Sequence, residues 1–259
     1  MNDYLDVLAG VAQVTIEDGY YDCAKQAESK GLNLRKAIIQ CRAVPVIAEI
    51  KIASPSAGKI RQNVDSAEIA RAMQRGGAVA LSILTEPKHF DGSLEAFAAA
   101  REAVQIPLLM KDIILSPVQV YAAAKMGANA ILLIKTLFDR GYCEKTLTEM
   151  IAGAHTLGLE VLLETHTEEE FRSATKTDAN LVGINNRDLA TLKVDLNVTK
   201  EILEKNSSNG KLVVSESGIK MPADINFLRA SGAKAFLVGS AIMSSGNIEE
   251  KVTEFVKAK

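Results

Sequence analysis

Several charged side chains in this sequence stand where short apolar runs give way to polar ones, and ammonium and carboxylate groups on neighbouring strand ends suit proton transfer. Glu49 lies in the run Val46–Ile50 with Lys51 just beyond it, and residues two apart point to the same side of an extended chain. Lys111 follows Pro107–Met110, Glu164 follows Glu160–Leu163, Asn185 and Arg187 follow Leu181–Ile184, and Glu216 follows Lys211–Ser215. Singly, each reads as a solvated loop residue or half of a structural ion pair. A charge facing a packed interior is costly unless paired or used, so the whole set converging on one mouth reads as an acid–base constellation. A second signal is independent of it. Ser217-Gly218 and Gly239-Ser240 put small residues after the last two apolar runs, where backbone N–H groups can approach a phosphate.

The elements that must position these groups follow from the apolar runs themselves. Eight read as strands buried on both faces of a parallel sheet: 46–50, 79–84, 107–110, 130–134, 160–163, 181–184, 211–215 and 235–238. Amphipathic helical patterns alternate with them at 66–75, 94–103, 116–125, 147–155, 168–175, 196–205 and 223–230. Gly76-Gly77, Gly127, Gly158 and Gly232 each separate a helix from the next strand, as left-handed helix ends do. Eight βα units suffice to close a barrel, so the expected fold is α/β, a single (β/α)8 TIM barrel over residues 45–259. Residues 1–44 form an N-terminal helical extension, with Asn2-Asp3 as caps and Tyr4, Leu5, Leu8 and Val11 at helical spacing. The whole of 1–259 is expected to be one domain.

Composition removes other function classes. A net charge of −2 with both signs scattered offers no basic face, so no nucleic-acid partner is expected. No apolar stretch is long enough for a membrane span. Cys23, Cys41 and Cys143 include no short-spaced pair, which argues against a disulfide framework and for a cytoplasmic protein. His89, His155 and His166 do not sit at ligand spacing, so no metal site is expected, and His166 reads as a loop histidine. Asp112 reads as a partner for Lys111 or for a loop cation, and Glu168-Glu169-Glu170 as a complement to a helix dipole.

Taken in order, the motifs resemble those of the indole-3-glycerol-phosphate synthase family from Pro45 to about Met243. They are Val46-Ile47-Ala48-Glu49-Ile50-Lys51 with Ser54-Pro55-Ser56, Leu84-Thr85-Glu86-Pro87-Lys88 with Phe90-Asp91-Gly92-Ser93, and Lys111-Asp112. Further on come Gly127-Ala128-Asn129-Ala130, Gly183-Ile184-Asn185-Asn186-Arg187-Asp188-Leu189 and Ser215-Glu216-Ser217-Gly218-Ile219. The resemblance implies ring closure of 1-(2-carboxyphenylamino)-1-deoxyribulose 5-phosphate to indole-3-glycerol phosphate, with loss of carbon dioxide and water. It implies Lys111 as general acid with Lys51 beside it, Glu164 as base, and Glu49 and Glu216 as orienting groups. Asn185 would bond a substrate hydroxyl or the amine, and Arg187 would hold its loop or face the carboxylate. Ser217, Gly218, Gly239, Ser240 and also Ser54 would bind phosphate, while Phe90, Leu132 and Leu84 would wall the aryl ring. It implies no cofactor, and a small phosphorylated substrate for a monomer or homodimer. Ile52 and Ile113 depart from the family's usual arginine and aromatic residue, which bears on affinity and pocket shape. Sister barrels fit less well, since phosphoribosylanthranilate isomerases use a first-strand cysteine and tryptophan synthase α-subunits lack the two-lysine arrangement.

Overall fold

The computed structural model describes residues 3–54, 58–60 and 65–259, without the side chains of Ser54 and Lys59. The phosphate role expected of Ser54, with Pro55 and Ser56 beside it, therefore lies outside the described residues.

Eight strands form a closed barrel: β1 (Val46–Ile50), β2 (Ala80–Leu84), β3 (Leu108–Lys111), β4 (Ala130–Ile134), β5 (Glu160–Thr165), β6 (Leu181–Asn185), β7 (Leu212–Glu216) and β8 (Ala235–Val238). Each pairs in parallel with its sequence neighbours, and β8 closes on β1 with Val46 opposite Phe236 and Ala48 opposite Val238. A two-residue period sorts the side chains. Ile47, Leu109, Leu132, Leu162, Leu181 and Val214 fill the barrel, while Ala48, Leu81, Met110, Leu133, Leu163 and Val182 pack against the surrounding helices. Four strands differ from expectation at their functional ends. Lys111, Glu164, Asn185 and Glu216 lie within the ladder rather than in loops beyond it. A charged residue ends an apolar run in the sequence, but the backbone hydrogen bonds continue past it.

Between the strands the helices α3 (Ser66–Arg75), α4 (Leu94–Ala103), α5 (Pro117–Lys125), α7 (Leu147–Thr156), α8 (Glu168–Ala174), α9 (Asn197–Lys205) and α10 (Pro222–Ala230) match the amphipathic segments. Their starts are chemically specified: Ser116 and Gln119 form a capping box with Pro117 at the first turn, as do Thr146 and Glu149 without the proline. Three further helices lie outside those segments: α6 (Lys135–Asp139), α11 (Ser240–Met243) and α12 (Ile248–Val256). α12 buries Ile248, Val252 and Phe255 and lies so close to α3 that a Cβ on Gly76 would meet the Glu249 carbonyl at 2.6 Å. None of the described helices is long and apolar enough to cross a membrane.

The N-terminal extension divides its work between the two ends of the barrel. α1 (Tyr4–Glu17) starts at an Asp3–Asp6 capping box, and its Leu5 and Leu8 reach the cavity at the carboxyl ends of the strands. α2 (Leu34–Gln40) sits at the opposite end, where the backbone N–H groups of Leu34 and Arg35 donate to the buried Glu160 at the start of β5. That floor is tied by Asn129, whose amide donates to the carbonyls of Ser29 at 2.8 Å and Leu32 at 3.0 Å. The buried guanidinium of Arg101 donates back to Asn129 Oδ1 at 3.0 Å. Gly77, Gly127, Gly158 and Gly232 all have positive φ, as their places after helices require.

Candidate active site

The mouth of the barrel holds a cavity of about 1080 Å³. Glu49, Lys51, Lys111, Glu164, Asn185, Arg187 and Glu216 all line it, together with Phe90, Leu132, Leu84, Ser217, Gly218, Gly239 and Ser240. Strand register sets the contacts. Glu164 pairs across to Gly183 on β6, and Glu216 stands between Asn185 on β6 and Leu237 on β8. The glycines leave the carboxylates room: a Cβ on Gly183 would collide with Glu216 Oε1, and one on Gly239 would meet Glu49 Oε1 at 2.5 Å. Gly239 thus has a steric duty to Glu49 besides any contact with phosphate.

Lys111 is the hub. Its Nζ lies 3.5 Å from Glu164 Oε2 and 3.7 Å from Glu216 Oε2. Burial alone would lower its pKa, but the carboxylates of Glu164, Glu216 and Glu49 win and hold it above the ordinary lysine range, so it is an ammonium at neutral pH. Lys51 is bound to Glu49 at 3.0 Å.

The two carboxylates beside Lys111 are driven apart. Burial pushes both toward the neutral acid. In Glu164 it is outweighed by Lys111, His166 and the Asn185 amide, which donates to Oε1 at 3.0 Å, and the carboxyl stays ionised well below its usual range. Glu216 receives no hydrogen bond on either oxygen among the described residues; burial and the neighbouring charge of Glu164 raise it, so it keeps its proton near neutrality. One site then holds an ammonium, a carboxylate base and a neutral acid, which is an acid–base set.

The loop after β6 is built around two side chains. Arg187 holds it, donating from Nη1 to the Leu192 carbonyl at 2.9 Å, while its backbone N–H bonds Asn185 Oδ1 at 3.0 Å. Asn186 ties it to β7 by donating to Ser215 Oγ at 3.0 Å and the Glu216 carbonyl at 2.9 Å and accepting from Thr199 Oγ1 at 2.7 Å. Beside it Ser217 and Gly218 have φ of 65° and 88°, and a Cβ on Gly218 would strike Val194. A serine held in the left-handed region stores strain at the expected phosphate loop. Ser240 opens the single turn of α11 after Gly239.

Three expectations are corrected. Asp112 pairs with no cation among the described residues; it accepts from Tyr21 Oη at 3.0 Å, from Thr85 Oγ1 and from the Ile113 N–H at 2.8 Å. Burial raises its pKa to about 6. Glu170 is more than a dipole complement, since it accepts from Thr136 Oγ1 at 2.6 Å and the His166 N–H at 2.7 Å. His166 stands in the loop after β5, as expected, but its side chain is largely buried directly behind Glu164, with Nε2 3.2 Å from Oε1. Of the two departures from the family pattern, Ile113 lines the cavity, whereas Ile52 uses its carbonyl to accept from the Ile60 N–H at 2.7 Å. Sequence reasoning also missed Glu86, which accepts from the N–H groups of Lys88, His89 and Phe90 and so fixes the loop that presents Phe90. Its signal is a buried acid opening a turn, Thr85-Glu86-Pro87, which a propensity reading treats as surface.

Comparison with known proteins agrees with this arrangement. The indole-3-glycerol phosphate synthase family model matches residues 6–255. The chain belongs to the indole-3-glycerol phosphate synthase family. Relatives bearing that name include one from Desulforamulus reducens, 41% identical over 87% of this chain and 84% of its own length. Another, from Methanocaldococcus jannaschii, is 44% identical over 88% and 85%, and one from Neisseria meningitidis serogroup C is 45% identical over 80% and 77%. Among solved structures, thiamine phosphate pyrophosphorylase from Pyrococcus furiosus superposes with a TM-score of 0.60 at 16% identity, covering 86% of this chain and 96% of that one, a likeness of fold alone. The family's members are decarboxylating lyases of tryptophan biosynthesis that act on a small phosphorylated substrate.

Proposed function

We propose that the cavity closes 1-(2-carboxyphenylamino)-1-deoxyribulose 5-phosphate to indole-3-glycerol phosphate, with the division of labour that the charge states of Lys111 and Glu164 suggest. The Lys111 ammonium gives its proton to the ketose oxygen as the ring carbon bearing the carboxylate attacks the carbonyl carbon. A carbon–carbon bond forms and the ring loses aromaticity; carbon dioxide then leaves, and its bonding pair restores the ring. Glu164 takes a proton in the second half while the new hydroxyl departs as water, its proton supplied by Lys51 or by Lys111 once it has regained a proton from solvent. The single observation that supports this most is the placement of Lys111 Nζ between the buried carboxyl groups of Glu164, at 3.5 Å, and Glu216, at 3.7 Å.

Lys51, released in part from Glu49, is suited to hold the substrate carboxylate, and Asn185 and Glu49 to orient the amine and hydroxyls. Phe90, Leu132 and Leu84 supply apolar walls for the aryl ring, with Arg187 bracing the loop above it. Ser217, Gly218, Gly239 and Ser240 offer the phosphate backbone and hydroxyl donors at the ends of β7 and β8. The chain works as one catalytic domain, 1–44 as extension and 45–259 as barrel, in the cytoplasm as a monomer or homodimer and without a nucleic-acid partner. Purified protein incubated with the ketose phosphate should develop indole fluorescence with one carbon dioxide released per product. Absence of both at high protein concentration contradicts the reading.

A further inference from the structure

Two carboxylates of the same kind sit almost equally far from Lys111, at 3.5 and 3.7 Å, so the lysine alone cannot decide which one carries the negative charge. What differs is behind them. Glu164 Oε1 has the Asn185 amide at 3.0 Å and the His166 imidazole at 3.2 Å, whereas Glu216 has neither. His166 is itself gripped from the other side by Glu170, with Nδ1 3.6 Å from Oε2 and Thr136 Oγ1 3.4 Å from the same nitrogen. Its side chain is 11% exposed and its Nε2 is buried with no hydrogen-bond partner in good geometry, so the 3.2 Å contact to Glu164 is one of charge.

We infer that His166 is a positioning residue of the active site: as a cation clamped between Glu164 and Glu170, it selects Glu164 over Glu216 as the ionised carboxylate. The chain Glu170, His166, Glu164, Lys111 alternates in sign from the helix behind the barrel to the cavity centre, and Glu216 meets it only at the cavity end, beside Lys111 and Glu164. With a neutral imidazole, two carboxylates would face one lysine with only the Asn185 amide to separate them. The groups facing His166 are Glu164 from β5, Glu170 from α8, Thr136 from α6 and, at longer range, Asp188 from the loop after β6, whose carboxyl His166 helps to hold ionised. Of the other charges on the adjoining helices, Lys135 pairs with Asp139 and Arg172 with Glu168, while Glu169 is exposed. Burial would neutralise the imidazole, but Glu164 and Glu170 raise its pKa to about 9, in line with that geometry.

The inference rests on the proposed reaction for its catalytic meaning, and two measurements keep the two apart. The chain has three histidines, so with ring nitrogens labelled the His166 resonance is assignable by its loss in His166→Gln. In the native protein without ligand it should remain an imidazolium through pH 8 and move back toward the ordinary range in Glu170→Gln. Titration of the native residue near pH 6.5 overturns the inference whether or not the protein makes an indole product. In turnover, His166→Gln removes the charge, which raises the pKa of Glu164 and carries the acid limb of kcat about one unit upward. Below that limb kcat should fall by up to roughly tenfold with KM changed less than about twofold, and the difference should vanish toward neutral pH, where Glu164 is ionised in both proteins. A loss of kcat equal at every pH, or one carried by KM, contradicts the inference; failure of the native enzyme to turn over contradicts the proposed function alone.

Discussion

Lys111 meets two carboxyl groups that are alike in type and nearly alike in distance but opposite in charge state, and this asymmetry gives the site its chemistry. Replacing Lys111 by alanine removes the proposed proton donor and leaves the proposed phosphate loops in place. Expected is a fall in kcat of roughly 10²–10⁴-fold, the usual contribution of a positioned acid or base, with retained binding of a phosphorylated product measurable by calorimetry. Gly183→Ala attacks the same site sterically. Its methyl group would occupy the volume of Glu216 Oε1, so Glu216 must swing away and the carboxyl pair is disrupted. Steady-state assay should find kcat lowered more than tenfold with the fold retained by circular dichroism; unchanged kcat means that Glu216 is dispensable where it stands. Asp112 titrates outside the reaction. Its folded pKa of about 6 exceeds its ordinary value of 3.8, so the folded state binds the proton more tightly, and the stability this adds at low pH is lost as pH rises from 4 to above 6. The stability gap between native protein and Asp112→Asn should narrow over that window by up to about 3 kcal/mol, readable from urea unfolding at each pH.

At the scale of elements, the strand ends and α1 matter most. Because Lys111, Glu164, Asn185 and Glu216 belong to the hydrogen-bonded ladder, their Cα atoms are fixed by the barrel rather than by flexible loops, which is what preorganised catalysis requires. α1 is held over the mouth by burial of Leu5, Leu8, Ala9 and Ala12 and, at its start, by charge. Arg140 reaches both Asp3 and Asp6 at 2.6 Å, and Tyr142 Oη donates to Asp6 at 2.9 Å. Since Leu5 and Leu8 line the cavity from α1, Arg140→Ala should loosen the cover and raise KM severalfold with little change in melting temperature, because the pair is partly exposed. A KM that does not move means that α1 is held by its apolar contacts alone.

On the scale of the molecule, most of the barrel could be read from the chain. Strand periodicity, glycines after helices and the order of polar strand ends define eight βα units, and Val46–Ile50, Ala130–Ile134 and Ala235–Val238 have the expected bounds. The reading stopped where a residue's environment comes from a distant segment. His166 and Glu170 look like an ordinary helix start until β5, α6 and α8 are brought together, and Asp112 looks like a partner for Lys111 until Tyr21 arrives from the N-terminal extension. α12 was missed because its apolar stripe follows the last strand, beyond the alternation that made the other helices legible.

The central claim is that one ammonium and one carboxylate divide the reaction between them, and the timing of carbon dioxide release tests it most directly. In single turnovers with the ketose phosphate, Glu164→Gln should release carbon dioxide at close to the native rate while indole fluorescence lags far behind. Carbon dioxide and fluorescence slowed together in Glu164→Gln would contradict the assignment and place Glu164 in ring closure instead.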